Sequence, residues 1–162
     1  MKITPDWKDS EGKGLKDIGW ALEYEGSIES DEAIEIEIGP KWLKLSGSLA
    51  SKLSIKAGGG IEAGWGIEAG WGIEAGWGIK AGDGIKAGWG IEAGWGIKAG
   101  LSITCNKTLK FRLNLFAGTA SWKNPLPGEK MVECGDLQGG EIKFGTLQIR
   151  CRGTEGGRKQ DA

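Results

Sequence analysis

From Ile55 the chain settles into a strict order of apolar and polar positions. It reads IKAGGG, IEAGWG, IEAGWG, IEAGWG, IKAGDG, IKAGWG, IEAGWG and IKAGLS, eight hexapeptides through Ser102 without insertion. The register continues outward in weaker form, as LKLSGS (Leu43–Ser48) and LASKLS (Leu49–Ser54) before it and ITCNKT (Ile103–Thr108) after it. A helix does not fit this pattern. Two glycines in every unit would cost a helix about 1 kcal/mol each relative to alanine, and a period of six does not hold Ile on one helical face. A strand has a side-chain period of two, which divides six, so the Ile and Ala of one unit share a face. Glycine then allows a bend and a close backbone approach in every unit. Short strands and bends repeated at a small fixed period build a β-helix.

The predicted architecture is all-β, a short hexapeptide-repeat parallel β-solenoid with β-rich caps at both ends. Three units per coil would stack residues 18 apart. Lys56 then faces Glu74, Glu62 faces Lys80 and Glu68 faces Lys86, whereas Glu74 over Glu92 and Lys80 over Lys98 are like-charged. Two units per coil gives a similar balance, so charge alone does not choose. Three sides is the usual closure of hexapeptide solenoids and is the expectation taken here. Eleven units then make under four coils, roughly 18 Å of stack at about 4.8 Å per coil.

So short a solenoid exposes edges and apolar interior at its ends and needs caps. The expected division is an N-terminal cap over 1–42, the solenoid over 43–108 and a β-rich C-terminal module over 109–162. In the first, Ile34, Ile36 and Ile38 alternate with Glu35 and Glu37, a half-buried strand that Pro40 interrupts before Trp42-Leu-Lys-Leu resumes. The run from Leu15 to Tyr24 fits either a helical turn or a strand. In the last, Thr108 to Phe116 alternates as a strand, Pro125 and Pro127 mark a loop, and Met131–Cys134 and Glu141–Ile149 read as strands joined through Gly135 to Gly140. The tail from Gly153 is expected to fray.

Charge adds an asymmetry. Residues 1–42 hold 11 acids against 5 bases, and residues 103–162 hold 10 bases against 6 acids, around a repeat that is almost neutral. The front is acidic and the back mildly basic. No apolar run follows Met1 as in a secretory leader, and no stretch approaches a membrane helix. Cys105, Cys134 and Cys151 are odd in number and lack CxxC spacing, as expected of small buried hydrophobes in a reduced, cytoplasmic protein.

The chain has no His. This removes the usual general base, the Ser-His-Asp and Cys-His arrangements and the commonest zinc ligand. A pair of carboxylates could still act as acid and base, but the repeat's Glu alternate with Lys as a solvated row. The glycine pattern is repeat geometry and lacks the lysine of a phosphate-binding loop. The expectation is a non-catalytic protein without cofactor or metal. A near-neutral solenoid also makes direct nucleic-acid binding an unattractive reading.

Two sets of residues are the candidate partner-binding sites. Trp65, Trp71, Trp77, Trp89 and Trp95 hold the fifth position of their units, with Asp83 breaking the series. A narrow interior cannot take five indoles beside all the Ile, and the flanking Gly favour a bend that lets them point out or cover a face. The sequence leaves in or out open, with Trp71 over Trp89 and Trp77 over Trp95 as ladders on two faces. They could be covered structurally, form a protein interface or stack on sugars. The second set is acidic: Glu23, Glu25, Glu29, Asp31, Glu32, Glu35 and Glu37. Alternate Glu on a strand are about 6.6–7 Å apart, near the phosphate spacing of a nucleic-acid strand. Such a row could mimic nucleic acid, or simply solvate a cap.

The I-[EK]-A-G-x-G run resembles the glycine-rich repeats of bactofilin-like polymer-forming β-helices. Together with Phe116-Ala-Gly-Thr-Ala-Ser-Trp-Lys-Asn-Pro and Lys143-Phe-Gly-Thr-Leu, the stretch Ile55–Gly100 is more similar to small phage- and prophage-encoded proteins of Gram-positive gut bacteria. That resemblance implies an inhibitor of bacterial defence, anti-CRISPR-like, that blocks a CRISPR-Cas effector or its nucleic-acid groove inside the host cell. The bactofilin resemblance implies self-assembly into a homo-oligomer, and a carbohydrate-binding module is the third reading.

Overall fold

A computed structural model describes residues 1–150 of the chain. The expectations for Cys151 and for the tail from Gly153 lie outside them. The fold is a parallel β-solenoid of three sheets. Two sheets have seven strands and one has eight. Every strand pairing is parallel except Lys16–Asp17 with Ala21–Tyr24. A seven-stranded sheet stands about 29 Å tall at ~4.8 Å per strand.

Each hexapeptide supplies one strand and one corner. Ile55–Ala57 lies in the first sheet, Gly60–Ala63 in the second and Ile67–Ala69 in the third, and Ile73–Ala75 returns to the first. Ile73 therefore pairs with both Ile55 and Ile91. This is the expected three-unit coil. The first and third residues of each strand are buried and the second is outward. Ile columns thus run up the interior beside Ala columns. Each buried Ile contributes roughly 1.5–3 kcal/mol, and the small Ala lets three walls close on a narrow core.

The glycines work by sterics. The positive-φ residues among the described residues all lie outside the repeat, at glycines such as Gly39, Gly118 and Gly145. What the fourth repeat position requires is space. A Cβ at Gly76, Gly82, Gly88, Gly94 or Gly100 would run into the carbonyl oxygen of Gly58, Gly64, Gly70, Gly76 or Gly82 in the coil below. Gly59 breaks the IEAGWG pattern for the same reason, since a side chain there would strike the Lys41 carbonyl, and a Cβ at Gly60, the unit's regular sixth residue, would strike the Trp42 ring.

The solenoid is taller than the repeat. Leu22 pairs with Leu43, Ile28 with Leu49 and Ile34 with Ile55. Upstream residues expected to cap the stack thus form further coils, and Ala21–Tyr24 is a strand. Beyond Thr108, the expected single strand turns a corner at Arg112–Leu113. Thr108–Phe111 joins the first sheet and Asn114–Ala117 the second. Residues 118–130 form an excursion that ends in a 3-10 turn, Pro127–Lys130. Met131–Cys134, Asp136–Gln138, Glu141–Phe144 and Thr146–Ile149 then complete the sheets. The stack is about seven coils, not the four that the repeat alone implied.

The N-terminal end is closed. Lys2–Ile3 adds a strand beside Ile34–Ile36, and Trp7 and Leu15 pack on the core. Trp7 meets the Tyr24 ring edge-on at 5.3 Å. The Tyr24 hydroxyl donates to Asp9 Oδ2 at 2.6 Å, and Asp9 Oδ1 accepts from the amides of Glu11 and Lys13. The Tyr24 bond, then the Lys13 amide, hold the Asp9 carboxyl below its ordinary range.

Candidate functional site

The tryptophans sit at the corners of the triangle rather than on its flat faces. A corner residue lies between two glycines, and its amide donates to the corner carbonyl one coil below. The indole is thereby thrown outward. The three corners differ in what they present.

The corner between the first and second sheets is aromatic along most of its height. The Trp77 and Trp95 rings are stacked, 5.1 Å apart and 4° from parallel. Trp42 leans on Trp77 at 6.5 Å. Its ring lies over Gly60 and reaches Gly78, where a Cβ would come within 2.9 Å of the indole. Lys80 Nζ sits 4.8 Å from the centre of the Trp42 ring. Trp20 lies below, its carbonyl bonded to the Trp42 amide, and Leu113 lies above on the Trp95 carbonyl. Trp77 is half-buried by its neighbours. Trp42 and Trp77 are thus partly covered within the row, while Trp20, Trp95 and Leu113 at its margins stay exposed.

The corner between the third and first sheets holds Leu53, Trp71, Trp89 and Lys107, joined by backbone bonds of 2.7–3.0 Å. Trp71 and Trp89 are 64% and 61% exposed, against 46% for the stacked Trp95. Lys107 Nζ lies 4.7 Å over the Trp89 ring. The remaining corner holds Trp65, Asp83 and Leu101 in order. Trp65 is 65% exposed, and Trp122 from the excursion stands nearby, its indole N–H directed at the Gly82 carbonyl at 3.5 Å.

The acidic residues are not brought together as one set. Glu35 and Glu37 stay side by side at the first sheet, but Glu23 is on the second sheet and Glu29 on the third, so the seven do not form a single row. Most have a cation: Glu23 with Lys44 at 3.2 Å, Glu25 with Lys13 at 3.6 Å, Asp31 with Lys52 at 2.8 Å, and Glu32 with the Met1 ammonium at 3.4 Å. Glu35 and Glu37 share Lys2 at 3.6 and 3.0 Å. Glu37, the nearer partner, raises the pKa of Lys2. Glu29 stands on the third sheet opposite Ala50.

The charged columns explain the like-charged neighbours. On the first sheet, Glu74 and Glu92 are adjacent in register, but Lys56 bonds Glu74 at 3.5 Å and Lys110 bonds Glu92 at 3.0 Å. The column is a sandwich of two acids between two bases. On the second sheet Lys80, adjacent to Lys98, is drawn to the Trp42 ring.

No group of three or more His, Cys, Asp or Glu converges as a metal site among the described residues. Cys105 and Cys134 are buried free thiols. Burial pushes the Cys105 thiol up to about 12, and burial raises that of Cys134 as well. No helix among the described residues is long and apolar enough to cross a membrane.

The candidate list missed Trp20, Trp42, Leu113 and Trp122. Trp42 was recoverable, because it lies 18 residues before Gly60, in the register of the repeat. Trp20 is out of that register. The chain matches no protein-family model, no curated protein and no solved structure, so its reading rests on these three corners.

Proposed function

We propose that this solenoid is a non-catalytic binding protein that docks through the corner formed by Leu53, Trp71 and Trp89. The observation that carries this is the contrast between two aromatic rows on one scaffold. Trp42, Trp77 and Trp95 satisfy one another, whereas Trp71 and Trp89 leave most of their surface to solvent. Exposed Trp on a rigid backbone is the residue type that dominates interface energetics, and rigidity lowers the ordering cost of binding. Lys107 at the end of the row adds a cation that a partner's carboxylate can meet.

The resemblance to phage-encoded repeat proteins supplies the class of partner. A bacterial defence nuclease, a CRISPR-Cas effector, would be blocked at a protein surface or at the mouth of its nucleic-acid groove. The dispersed and paired acids give a nucleic-acid mimic little support, so blocking through the aromatic corner is favoured. The test is target-DNA cleavage by purified CRISPR-Cas effectors in the presence of the full chain. Inhibition is expected, with at least a tenfold weaker effect from the Trp71→Ala/Trp89→Ala double variant. Undiminished cleavage by every effector tried, or inhibition untouched by the double variant, overturns this reading.

A further inference from the structure

The two ends of the stack are built differently. At the N-terminal end the inward residues of the outermost coil are covered: Ile3 and Ala21 are fully buried, and Leu22, Tyr24 and Ile28 nearly so. The segment that carries Trp7 and Leu15 closes that end. At the other end no equivalent lid is present among the described residues. Leu137 lies over Leu109, Ile142 over Leu115, Leu147 over Val132, and Ile149 over Cys134. These are interior positions of the next coil. Leu147 and Ile149 are nevertheless 40% and 44% exposed, and Leu137 and Ile142 are only partly buried. Asp136–Gln138, Glu141–Phe144 and Thr146–Ile149 each pair on one side only, so three strand edges surround the apolar floor.

We infer that this C-terminal end is the contact between two copies of the chain, joined end to end about a two-fold axis. Three observations select a second copy. An open coil of this solenoid has the shape and spacing of another open coil, so Leu137, Ile142, Leu147 and Ile149 together meet the same set of the other copy and the edges pair antiparallel. The rim carries both signs, Glu141 with Lys143 at 2.6 Å and Glu133 with Arg150. Under two-fold symmetry each cation can face the other copy's acid, the self-complementarity that an isologous contact needs. Residues 151–162, CRGTEGGRKQDA, offer no Ile, Leu, Val, Met or aromatic side chain with which to cover the floor.

The closed N-terminal end fixes the stoichiometry. A head-to-tail contact would propagate into a filament, but the N-terminal end presents no exposed apolar floor to match. The assembly therefore stops at two, with the Trp corners of both copies left free.

The experiment is light scattering coupled to size exclusion on the full 162-residue chain across a wide concentration range. The expected mass is twice 17.2 kDa. The Leu147→Lys/Ile149→Lys variant is expected to run as a monomer. Its far-ultraviolet circular dichroism should keep the solenoid signature, which separates lost association from lost folding. Hydrogen exchange provides the second readout. In the wild type, amides of Glu141–Phe144 and Thr146–Ile149 are expected to be protected, and to exchange at least tenfold faster in the variant. The Trp71→Ala/Trp89→Ala variant is expected to remain a dimer, so this inference and the binding reading fail separately. A wild-type monomer at all concentrations overturns the proposal, as do concentration-dependent filaments, or a dimer lost with the Trp pair but kept with the Lys pair.

Discussion

Two alanine substitutions at one corner separate the steric account of the repeat from a generic dislike of losing glycine. Gly88 and Gly72 lie at the same corner, one in the fourth and one in the sixth position of a unit. Neither has a positive φ. At Gly88 an added Cβ would collide with the Gly70 carbonyl oxygen, a backbone atom that cannot swing aside. To admit it the coil must lift away from the one below. That strains the bonds from Gly88 N to Ala69 O at 3.0 Å and from Trp89 N to Trp71 O at 2.8 Å. Overpacking costs about 1–3 kcal/mol, and weakening two ladder bonds adds about 0.5–1.5 kcal/mol each. Gly88→Ala is therefore expected to destabilise by roughly 2–6 kcal/mol. At Gly72 the nearest atom to the new methyl is the Gly90 carbonyl oxygen at 3.5 Å, an ordinary contact. There alanine only reduces the freedom of the unfolded chain, so Gly72→Ala should stabilise by about 0.4–1 kcal/mol. Guanidinium and thermal unfolding followed by circular dichroism would measure both, at roughly 2–4 °C per kcal/mol for a chain of this size. Equal losses in the two variants, or a Gly88→Ala protein as stable as wild type, would refute the reasoning.

The two aromatic rows should respond differently to truncation. Trp77→Ala removes contacts to both Trp42 and Trp95 and is expected to cost about 1–3 kcal/mol, from two aromatic pairs at roughly 0.5–1.5 kcal/mol each, with loss of the indole exciton couplet in circular dichroism. Trp71→Ala should stay within about 0.5 kcal/mol of wild type, as is usual for exposed positions. For the cysteines, burial raises the folded pKa of Cys105 above its ordinary value of 9.0, to about 12. The folded state thus holds that proton more tightly than the unfolded one. Stability should be insensitive to this group below pH 9 and fall as pH rises from 9 towards 12, more steeply than in a Cys105→Ala variant. Thiol titration at neutral pH should find Cys105 and Cys134 unreactive until denaturant is added.

The coil was legible because Ile, Ala and Gly return every six residues at fixed roles, and each role is a physical demand. Ile fills the interior, Ala lets the walls approach, and Gly makes room for a carbonyl. The height was illegible because the spacing changes where composition changes. Inside the repeat, pairing partners are 18 residues apart, as Ile67 and Ile85 are. Below it Leu22 pairs with Leu43, an offset of 21 that absorbs the Gly39-Pro40 turn. Above it Leu115 pairs with Ile142 across the 118–130 excursion. A period of six carries no information about such insertions. Volume alone kept five indoles from sharing a core with the Ile columns, but the direction of the Trp was not legible, because the corner geometry that turns them outward comes from the stacked coils. Which Trp remain open was not, because Trp42 covers Trp77 from outside the repeat. The spacing of the acids was legible within Glu35 and Glu37, which stay adjacent beside Lys2, but not across the set, because Glu23, Glu29 and Glu35 fall on three different sheets.

The bracketing of the glycines gives the chain an adjustable length. From Ile55 to Ile103 the stacked units meet through the same Ile-on-Ile register, and Gly76, Gly82, Gly88, Gly94 and Gly100 through the same glycine-to-carbonyl fit. Taking out 18 residues, or adding 18, moves the closed end relative to the open one by about 4.8 Å and leaves the fit at every joint as it was. The repeat is thus a ruler whose graduations can be changed without redesigning either end, and the reach between what binds at one end and at the other is set by how many times six residues are copied.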